Sequence, residues 1–293
     1  MILRRIGLTI FYILFIPFCI AWVYPLLWTL GVSVQSNSEA YNGSLSLLPK
    51  GFRLSMLLPQ NWAQLIQVFH FGNYANAWYV ASFGQFALNT VIFSITVVVF
   101  VVLLCVLTGY ALGRHSFPGK KVFIGAIIVT MFIPHGYTIV PVWQLITTLG
   151  LNSSLWGMIL AEVGGAHVLY ILLFTAYFAG LPKDLEEAAC LDGAGFFRVF
   201  FSVMFPLSMP IVATTCILQF IGTWNSFFIP LIFSINQPKL QTLGVGMLSF
   251  TSDYASNIAG MAAGAVITFL PIVALFVFFQ RYFVEGIAGA VKQ

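Results

Sequence analysis

The sequence predicts an all-α, polytopic membrane protein with six transmembrane helices. Of its 293 residues, 60% are hydrophobic and 7% are charged, whereas soluble domains carry about 25% charged residues. The mean hydropathy is +0.98. The apolar runs are long enough to cross a bilayer as helices, and they lack the short alternating pattern that membrane barrels require.

A helix needs about 20 mostly apolar residues to span the hydrocarbon core. Six segments meet this requirement: Leu8–Val34, Phe86–Leu112, Val122–Trp143, Leu155–Ala179, Leu207–Phe233 and Ile258–Phe283. The first follows a basic start, but residues 6–38 carry no charge, and the apolar core of a signal peptide is only about 7–15 residues long. We therefore expect an uncleaved first helix.

The expected organisation has four parts. Residues 1–34 form the first transmembrane helix with a cytoplasmic N-terminus, and residues 35–85 form an outer segment. Residues 86–283 form a core of five helices that includes a polar loop at 182–206, and residues 284–293 form a cytoplasmic tail.

The distribution of Lys and Arg sets the orientation, because these residues accumulate on the cytoplasmic side. With the N-terminus inside, nine of the twelve are cytoplasmic: Arg4, Arg5, Arg114, Lys120, Lys121, Lys183, Arg198, Arg281 and Lys292. Lys50, Arg53 and Lys239 are outside. Both termini are therefore expected in the cytoplasm.

The basic residues are spread over loop ends and form no patch, which argues against nucleic acid as a partner. The four cysteines have no metal or disulfide spacing.

Acidic residues crowd together only in the 182–206 loop, between two apolar segments. Asp184 with Glu187 three residues later predicts a capping box at the start of a short helix. Gly193 and Gly195 interrupt that helix, and a glycine is the expected residue for its left-handed end. An apolar stretch from Phe196 follows before Pro206. Such a structure is typical of a docking element for another protein, with a loop lying on the membrane surface as the alternative.

One spacing in this loop resembles a known family. Glu187-Ala188-Ala189 is followed by three residues, Gly193, nine residues and Val203-Met204-Phe205-Pro206. This resembles the EAA loop of permease subunits in ABC importers, in which EAA, three residues, Gly and nine residues precede I-x-L-P. Val203 and Phe205 depart mildly from that pattern. The Asp192-Gly193-Ala194 segment resembles the carbohydrate-importer branch.

In that family the loop is the coupling helix, which enters a cleft on the ATPase subunit. The resemblance implies the type I importer permease architecture and assigns ATPase coupling to nine residues: Asp184, Glu186, Glu187, Ala188, Ala189, Asp192, Gly193, Ala194 and Phe197. The closing segment, Arg281 to Lys292, resembles the end of the second permease subunit in maltose-type importers. It implies tail contacts with the ATPase dimer through Gly289, Ala290, Val291 and Lys292.

The same resemblance implies the partners and the location. The chain is expected to pair with a similar but different permease, two ATPase subunits and a periplasmic or surface solute-binding protein. It is expected in the bacterial plasma (inner) membrane, in contact with lipid, where it moves a carbohydrate. ATP and Mg are expected on the ATPase subunits, with no cofactor on this chain and no enzymatic activity of its own. The turn from Gly113 to Lys121 lacks the spacing of a phosphate-binding loop.

Five residues inside the apolar segments are candidates for lining a translocation path: Asn89, His135, Glu162, Trp224 and Asn225. Packing within the helices is the alternative for each. A carboxylate at the bilayer centre costs about 2.5–3.5 kcal/mol, so Glu162 is expected to face a partner, a wet cavity or the outer interface. His167 follows it by five residues, which on a continuous helix is a different face, so we do not expect the two to pair.

Trp224 beside Asn225 is typical of a sugar site, where the ring stacks on the sugar and the amide binds its hydroxyls. In maltose-type importers, however, the sugar contacts lie mainly on the other permease subunit. The expected cargo is a neutral oligosaccharide such as a maltodextrin, with an acidic oligosaccharide such as an alginate fragment, or glycerol phosphate, as alternatives. An ion-driven secondary transporter or channel would require paired charges within the membrane, and a membrane enzyme would require a catalytic constellation.

Overall fold

The computed structural model describes residues 2–42, 46–251 and 257–291, and within these ranges the side chains of 2–7, 9, 10, 135 and 279–291 lie outside the description. The described chain is helical and contains no strand, which confirms the all-α class. Its helices are α1 (Ile2–Ser33), α2 (Asn37–Tyr41), α3 (Trp62–Val68), α4 (Gly72–Ala75), α5 (Phe83–Arg114), α6 (Lys120–Thr130), α7 (His135–Thr148), α8 (Leu155–Val163), α9 (Val168–Gly180), α10 (Asp184–Leu191), α11 (Phe196–Val199), α12 (Phe205–Leu207), α13 (Met209–Trp224), α14 (Phe228–Ser234), α15 (Leu243–Gly246) and α16 (Ile258–Val291).

Three stretches of helix are long and apolar enough to cross a membrane, among the residues described: Phe11–Ser33, Phe83–Arg114 and Ile258–Phe278. Two further candidates are helix pairs with a bend. Leu155–Val163 and Val168–Gly180 meet at 54°, and Phe196–Leu207 and Met209–Trp224 meet at 74°. The number of candidates is therefore three, or five if each bent pair is one span.

The predicted third span, Val122–Trp143, is divided in the structure. Helix α6 ends at Thr130, α7 begins at His135, and Pro134 between them has an extended backbone with ψ of 129°. Proline has no N–H to donate, and it disfavours a helical conformation in the residue before it. The break thus follows from the sequence, although the apolar run itself continues through it.

The chain folds into two compact units. The first comprises Met1–Gln85 and Gly246–Pro271. Its small core contains Val32, Ala40, Ala259 and Ala262. Asn73 donates hydrogen bonds of 2.9 Å to the carbonyls of Ser33 and Gln35, and these bonds satisfy polar groups at the end of α1.

The second unit comprises Phe86–Val245 and Ile272–Gln293. Its core is built on one face of α5, with Phe93, Val97, Val101 and Tyr110 buried among residues of α8, α9 and the 199–212 segment. A Cβ atom on Gly109 would lie 2.3 Å from the Cβ of Phe174. Glycine therefore allows α5 and α9 to approach closely, as small residues do between membrane helices.

We expect Gly109→Ala to destabilise the folded chain by about 1–3 kcal/mol, because the added methyl group overpacks the contact with Phe174. The matched control is Gly125→Ala in α6, where an added Cβ meets no atom within 4 Å. That control should be neutral or slightly stabilising, because alanine favours helix. Thermal unfolding of the detergent-solubilised protein measures both, and equal melting temperatures for the two variants would contradict the prediction.

Candidate functional site

The polar loop folds as two short helices joined by a tight turn. Helix α10 occupies Asp184–Leu191, and α11 occupies Phe196–Val199, followed by a stretch of π-helix at Phe200–Met204. The helix–break–helix pattern is as the sequence predicts. The loop belongs to the second compact unit, and so do all the side chains that hold it.

The predicted capping box at the start of α10 was wrong. Lys183 occupies the N-cap position, and no side chain caps the helix. The Lys183 carbonyl accepts hydrogen bonds from the backbone N–H groups of Glu186 and Glu187 at 2.9 and 3.1 Å. Asp184 is already the first helical residue, so its carboxylate is not in the position that reaches the third N–H. The acidic first turn still stabilises the helix through its dipole.

The predicted left-handed glycine is confirmed at Gly193, whose φ is +80°, whereas Gly195 has a φ of −77°. The backbone closes α10 with a pair of hydrogen bonds: Ala194 N–H to the Ala189 carbonyl and Gly193 N–H to the Cys190 carbonyl, both 3.0 Å. This is the Schellman arrangement, which places its left-handed residue directly after the helix. Residues with a Cβ atom adopt that conformation at a cost.

A buried guanidinium holds the loop in place. The Arg114 side chain, at the end of α5, is 3% exposed, and its Nη2 lies 2.8 Å from Oε2 of Glu186 in α10. Its Nε donates to the same oxygen at 2.9 Å. It also donates to three carbonyls at the end of α9: Leu181 at 2.7 Å and Phe178 and Pro182 at 3.3 Å. Arg114 therefore joins α5, α9 and α10.

An aromatic cluster adds to this attachment. The ring of Tyr110, one turn before Arg114, lies 5.4 Å from that of Phe178, 5.6 Å from Phe196 and 5.1 Å from Phe200. Tyr110 also lies close enough to the Glu186 carboxylate to interact with it. Edge-on and tilted aromatic pairs contribute about 0.5–1.5 kcal/mol each beyond their burial. Sequence reasoning missed both Arg114 and Tyr110 as parts of this site.

The outward face of the loop is acidic and apolar. Leu191 is 89% exposed and Phe197 is 69% exposed. Of the remaining predicted coupling residues, Glu186, Ala189 and Ala194 are half-buried, and the exposed ones are Asp184, Glu187, Ala188, Asp192 and Gly193. The predicted set therefore divides into residues that attach the loop and residues that lie at its surface.

A second feature of the same unit is a cleft of about 540 Å³. Three breaks between helices meet there: Ile133 lies between α6 and α7, Gly164 to His167 lie between α8 and α9, and Ser226 lies between α13 and α14. Broken helices within membrane segments are tolerated where the freed backbone groups line a cavity.

Glu162 and His167 both line this cleft, so the expectation that they lie on different faces of one continuous helix was wrong. The helix does not continue between them, and His167 turns back so that its Nε2 lies 3.2 Å from the Glu162 carbonyl oxygen. Because a carbonyl can only accept, Nε2 donates in this contact. The Ser226 hydroxyl donates to Oε2 of Glu162 at 3.2 Å. The two glycines at 164 and 165 were the signal for the break.

Three other candidates for the translocation path, Trp224, Asn225 and Asn89, do not line this cleft. Trp224 is 3% exposed, with its ring stacked 5.3 Å from that of Phe220. The Asn225 amide donates to the Ile221 carbonyl of its own helix at 2.8 Å. Asn89 is buried, and its amide donates to the carbonyls of Lys239 at 2.7 Å and Gln241 at 2.9 Å.

Two predicted sets lie partly outside the described residues. The backbone of His135 begins α7, but its side chain is outside the description. Of the four tail residues, Gly289, Ala290 and Val291 belong to the end of α16, with their side chains outside the description, and Lys292 lies outside it altogether. Their predicted roles therefore stay predictions.

Comparison with known proteins gives one family match. Residues 105–289 match the family described as "Binding-protein-dependent transport system inner membrane component". The chain is 32% identical to the diacetylchitobiose uptake system permease protein of Streptomyces coelicolor, over 92% of this chain and 83% of that protein. It is 33% identical to the arabinooligosaccharides transport system permease protein of Halalkalibacterium halodurans, over 92% and 91%.

Two further similarities agree with this match. The melibiose/raffinose/stachyose import permease protein of Bacillus subtilis is 34% identical over 76% of this chain and 81% of its own length. A crystal structure of a bacterial ABC transporter involved in the import of the acidic polysaccharide alginate contains a chain with a TM-score of 0.78, at 22% identity and with 95% and 97% coverage. At that identity the likeness establishes the fold alone.

We expect Arg114→Gln to loosen α10, because Glu186 and three carbonyls lose their common donor. Breaking a buried ion pair costs about 3–5 kcal/mol, and the partial exposure of Glu186 favours the lower end. Amide hydrogen exchange in residues 185–191 should accelerate by about 100-fold, since each 1.4 kcal/mol is a factor of ten. Glu187→Gln is the matched control, because this exposed neighbour lies in the same helical turn. Equal exchange in the two variants would refute the attachment.

Proposed function

Because the chain belongs to the family of binding-protein-dependent transport system inner membrane components, which are permease components of ABC importers, we propose that it couples an ATPase to carbohydrate import through the 182–206 loop. In this proposal the chain forms half of the translocation path. It is a transport subunit of the inner membrane, and ATP hydrolysis takes place on other chains.

The observation that carries the proposal is the contrast between the two sides of the loop. One side is fixed to the ends of α5 and α9 through Arg114 and Glu186. The other side exposes carboxylates together with Leu191 and Phe197. An exposed large apolar side chain beside charges is typical of a short helix that enters a groove on a partner protein. A loop that is attached to α5 and α9 on one side and exposed on the other is suited to transmit a movement of the partner ATPase to these helices.

The proposed partners follow from the family and from this loop. Two ATPase subunits bind ATP and Mg and contact Asp184, Glu187, Ala188, Asp192 and Phe197. The tail residues Gly289 to Lys292 make a second contact with the ATPases. A similar but different permease completes the path, and a solute-binding protein delivers the cargo. The cytoplasmic position of the loop and of both termini rests on the Lys and Arg distribution.

The cargo we propose is a neutral oligosaccharide. The relatives compared above are named for diacetylchitobiose, arabinooligosaccharides and the melibiose/raffinose/stachyose group. The structural neighbour is named for acidic alginate, but its 22% identity carries no substrate information. Maltodextrins belong to the same neutral class as the named oligosaccharides.

Co-purification and uptake test the proposal together. An affinity-tagged form of this chain, expressed with its genomic neighbours, should retain an ATPase subunit and a second permease. The complex in proteoliposomes should accumulate a neutral oligosaccharide only with ATP inside and the solute-binding protein outside. Uptake driven by an ion gradient without ATP would instead identify a secondary transporter and overturn the proposal.

The turn of the loop provides a sharper test. We expect Gly193→Asp to abolish uptake and to uncouple ATP hydrolysis from it, with membrane insertion unchanged. A φ of +80° costs most residues with a Cβ atom about 1–2 kcal/mol, with aspartate among the less disfavoured, and the variant also adds a charge at the turn. The turn that positions α10 against its partner is then distorted.

Gly195→Asp is the control for this variant. It adds the same charge two residues later, also with no atom within 4 Å of its Cβ, but its φ is −77°. It sits at the N-cap of α11, where aspartate is favoured, and should retain most of the uptake. If both variants lose uptake equally, the added charge and not the backbone turn is responsible.

A further inference from the structure

The cleft between the broken helices differs in chemistry from the apolar surfaces around it. Glu162, His167 and Ser226 bring a carboxylate, an imidazole and a hydroxyl to its wall, and each of these residues is half-buried and therefore reachable from the cleft. Thr130 and Thr138 add two further hydroxyl groups to the lining. Small-molecule sites in proteins combine a concave, mostly apolar wall with a few convergent polar groups in this way.

We propose that this cleft is a cargo subsite on this chain, which binds hydroxyl groups of a neutral sugar and disfavours anionic ones. The inference rests on the proposed transport function and narrows its substrate class. It also departs from the expectation that the sugar contacts of such importers lie mainly on the other permease subunit.

The carboxylate determines the preference. An ionised carboxylate is an acceptor only, with room for several hydrogen bonds, so it accepts from Ser226 and from sugar hydroxyls together. Hydrogen bonds to a charged acceptor are stronger than those to a neutral one. Within the described part of the chain, the lining contains Glu162 but no Lys or Arg. A uronate or a phosphate would therefore meet the like charge of Glu162, which no Lys or Arg of the described lining offsets.

The apolar part of the lining serves the rest of a sugar ring. Phe228 is 50% exposed and lines the cleft together with Ile229 and Val142. The face of a pyranose ring carries C–H groups, which pack on an aromatic or aliphatic surface. The Trp224–Asn225 pair, whose composition is typical of a sugar site, is not part of the lining, and Trp224 is buried against Phe220.

The test uses the whole transporter complex and a reporter thiol. Ala166 is exposed and lines the cleft, so Ala166→Cys should react with a membrane-impermeant maleimide, followed at that peptide by mass spectrometry. The probes are raffinose as the neutral trisaccharide and a mannuronate trisaccharide as the acidic one, without the solute-binding protein. Raffinose should protect the thiol, and the mannuronate trisaccharide should not.

In the Ala166→Cys background, Glu162→Gln should raise the raffinose concentration needed to protect the thiol by about tenfold, the effect of losing one charged hydrogen bond. It should also reduce the difference between the protecting concentrations of the two trisaccharides. The matched control is Glu39→Gln. Glu39 accepts from the Ser36 N–H in a capping box, where Gln serves equally well, and this change should leave protection unaltered. If Glu162→Gln does not assemble, Ser226→Ala replaces it, with an expected shift of about threefold.

Two results would overturn the inference and leave the proposed function intact. One is ATP-dependent uptake of raffinose without any protection of the thiol, and the other is equal protection by the two trisaccharides. An unchanged protecting concentration in both Glu162→Gln and Ser226→Ala would also overturn it. Failure of the proposed function is recognised separately, as absence of ATP-dependent uptake of any sugar by the wild-type complex.

Discussion

The buried guanidinium of Arg114 is the interaction on which the geometry of the loop depends. Removing a charged group from water costs free energy, and this desolvation cost is offset only when the hydrogen-bond donors of the group are satisfied. Glu186 and the carbonyls of Phe178, Leu181 and Pro182 satisfy them. These carbonyls lie in the last turn of α9 and in the two residues that follow it, where the regular helical hydrogen bonds stop. The Arg114 side chain thus binds both the Glu186 carboxylate and these carbonyls, and it holds the end of α5, the end of α9 and the start of α10 together.

The second constraint is the need to satisfy backbone groups wherever a membrane helix stops. The breaks after α6 and α8 and the break after α13 each release N–H and C=O groups inside apolar segments, where an unsatisfied group costs several kcal/mol. The structure gathers these breaks around one cleft, whose mostly apolar wall includes a few polar groups. Around Glu162, the carbonyl accepts from the Gly165 N–H and from the His167 ring. The helix breaks therefore place backbone polar groups, such as the Glu162 carbonyl, beside the polar side chains of the cleft.

The helical class, the polar loop and its glycine turn could be predicted from the sequence, because they depend on local composition and on spacings within a few residues. The ion pair between Arg114 and Glu186 could not be predicted, because the two residues are 72 positions apart in the sequence. Each charge also had another explanation, Arg114 in the positive-inside pattern and Glu186 in the acidic loop. The sequence led to a wrong capping box because Lys183, and not Asp184, occupies the N-cap position. That Glu162 and His167 line one cleft was missed because helical spacing was assumed across two glycines. Trp224 and Asn225 showed a sugar-site composition, but composition does not determine which way a ring faces.

Helix α9 links the two features. It begins at Val168, directly after His167 in the wall of the cleft, and it ends at Gly180, directly before the carbonyls of Leu181 and Pro182 that Arg114 binds. Its 13 residues form a rod of about 20 Å at 1.5 Å per residue. Gly109 and Gly113 let α5 pack closely along it, and close packing transmits displacement because protein interiors are dense. If the loop is the ATPase contact proposed here, a movement of α10 reaches the end of α9 through Glu186 and Arg114. The same helix then shifts His167 relative to Glu162, which belongs to α8 on the other side of the break. Under that proposal, the break between α8 and α9 is the place where a motion at the loop would change the shape of the cleft.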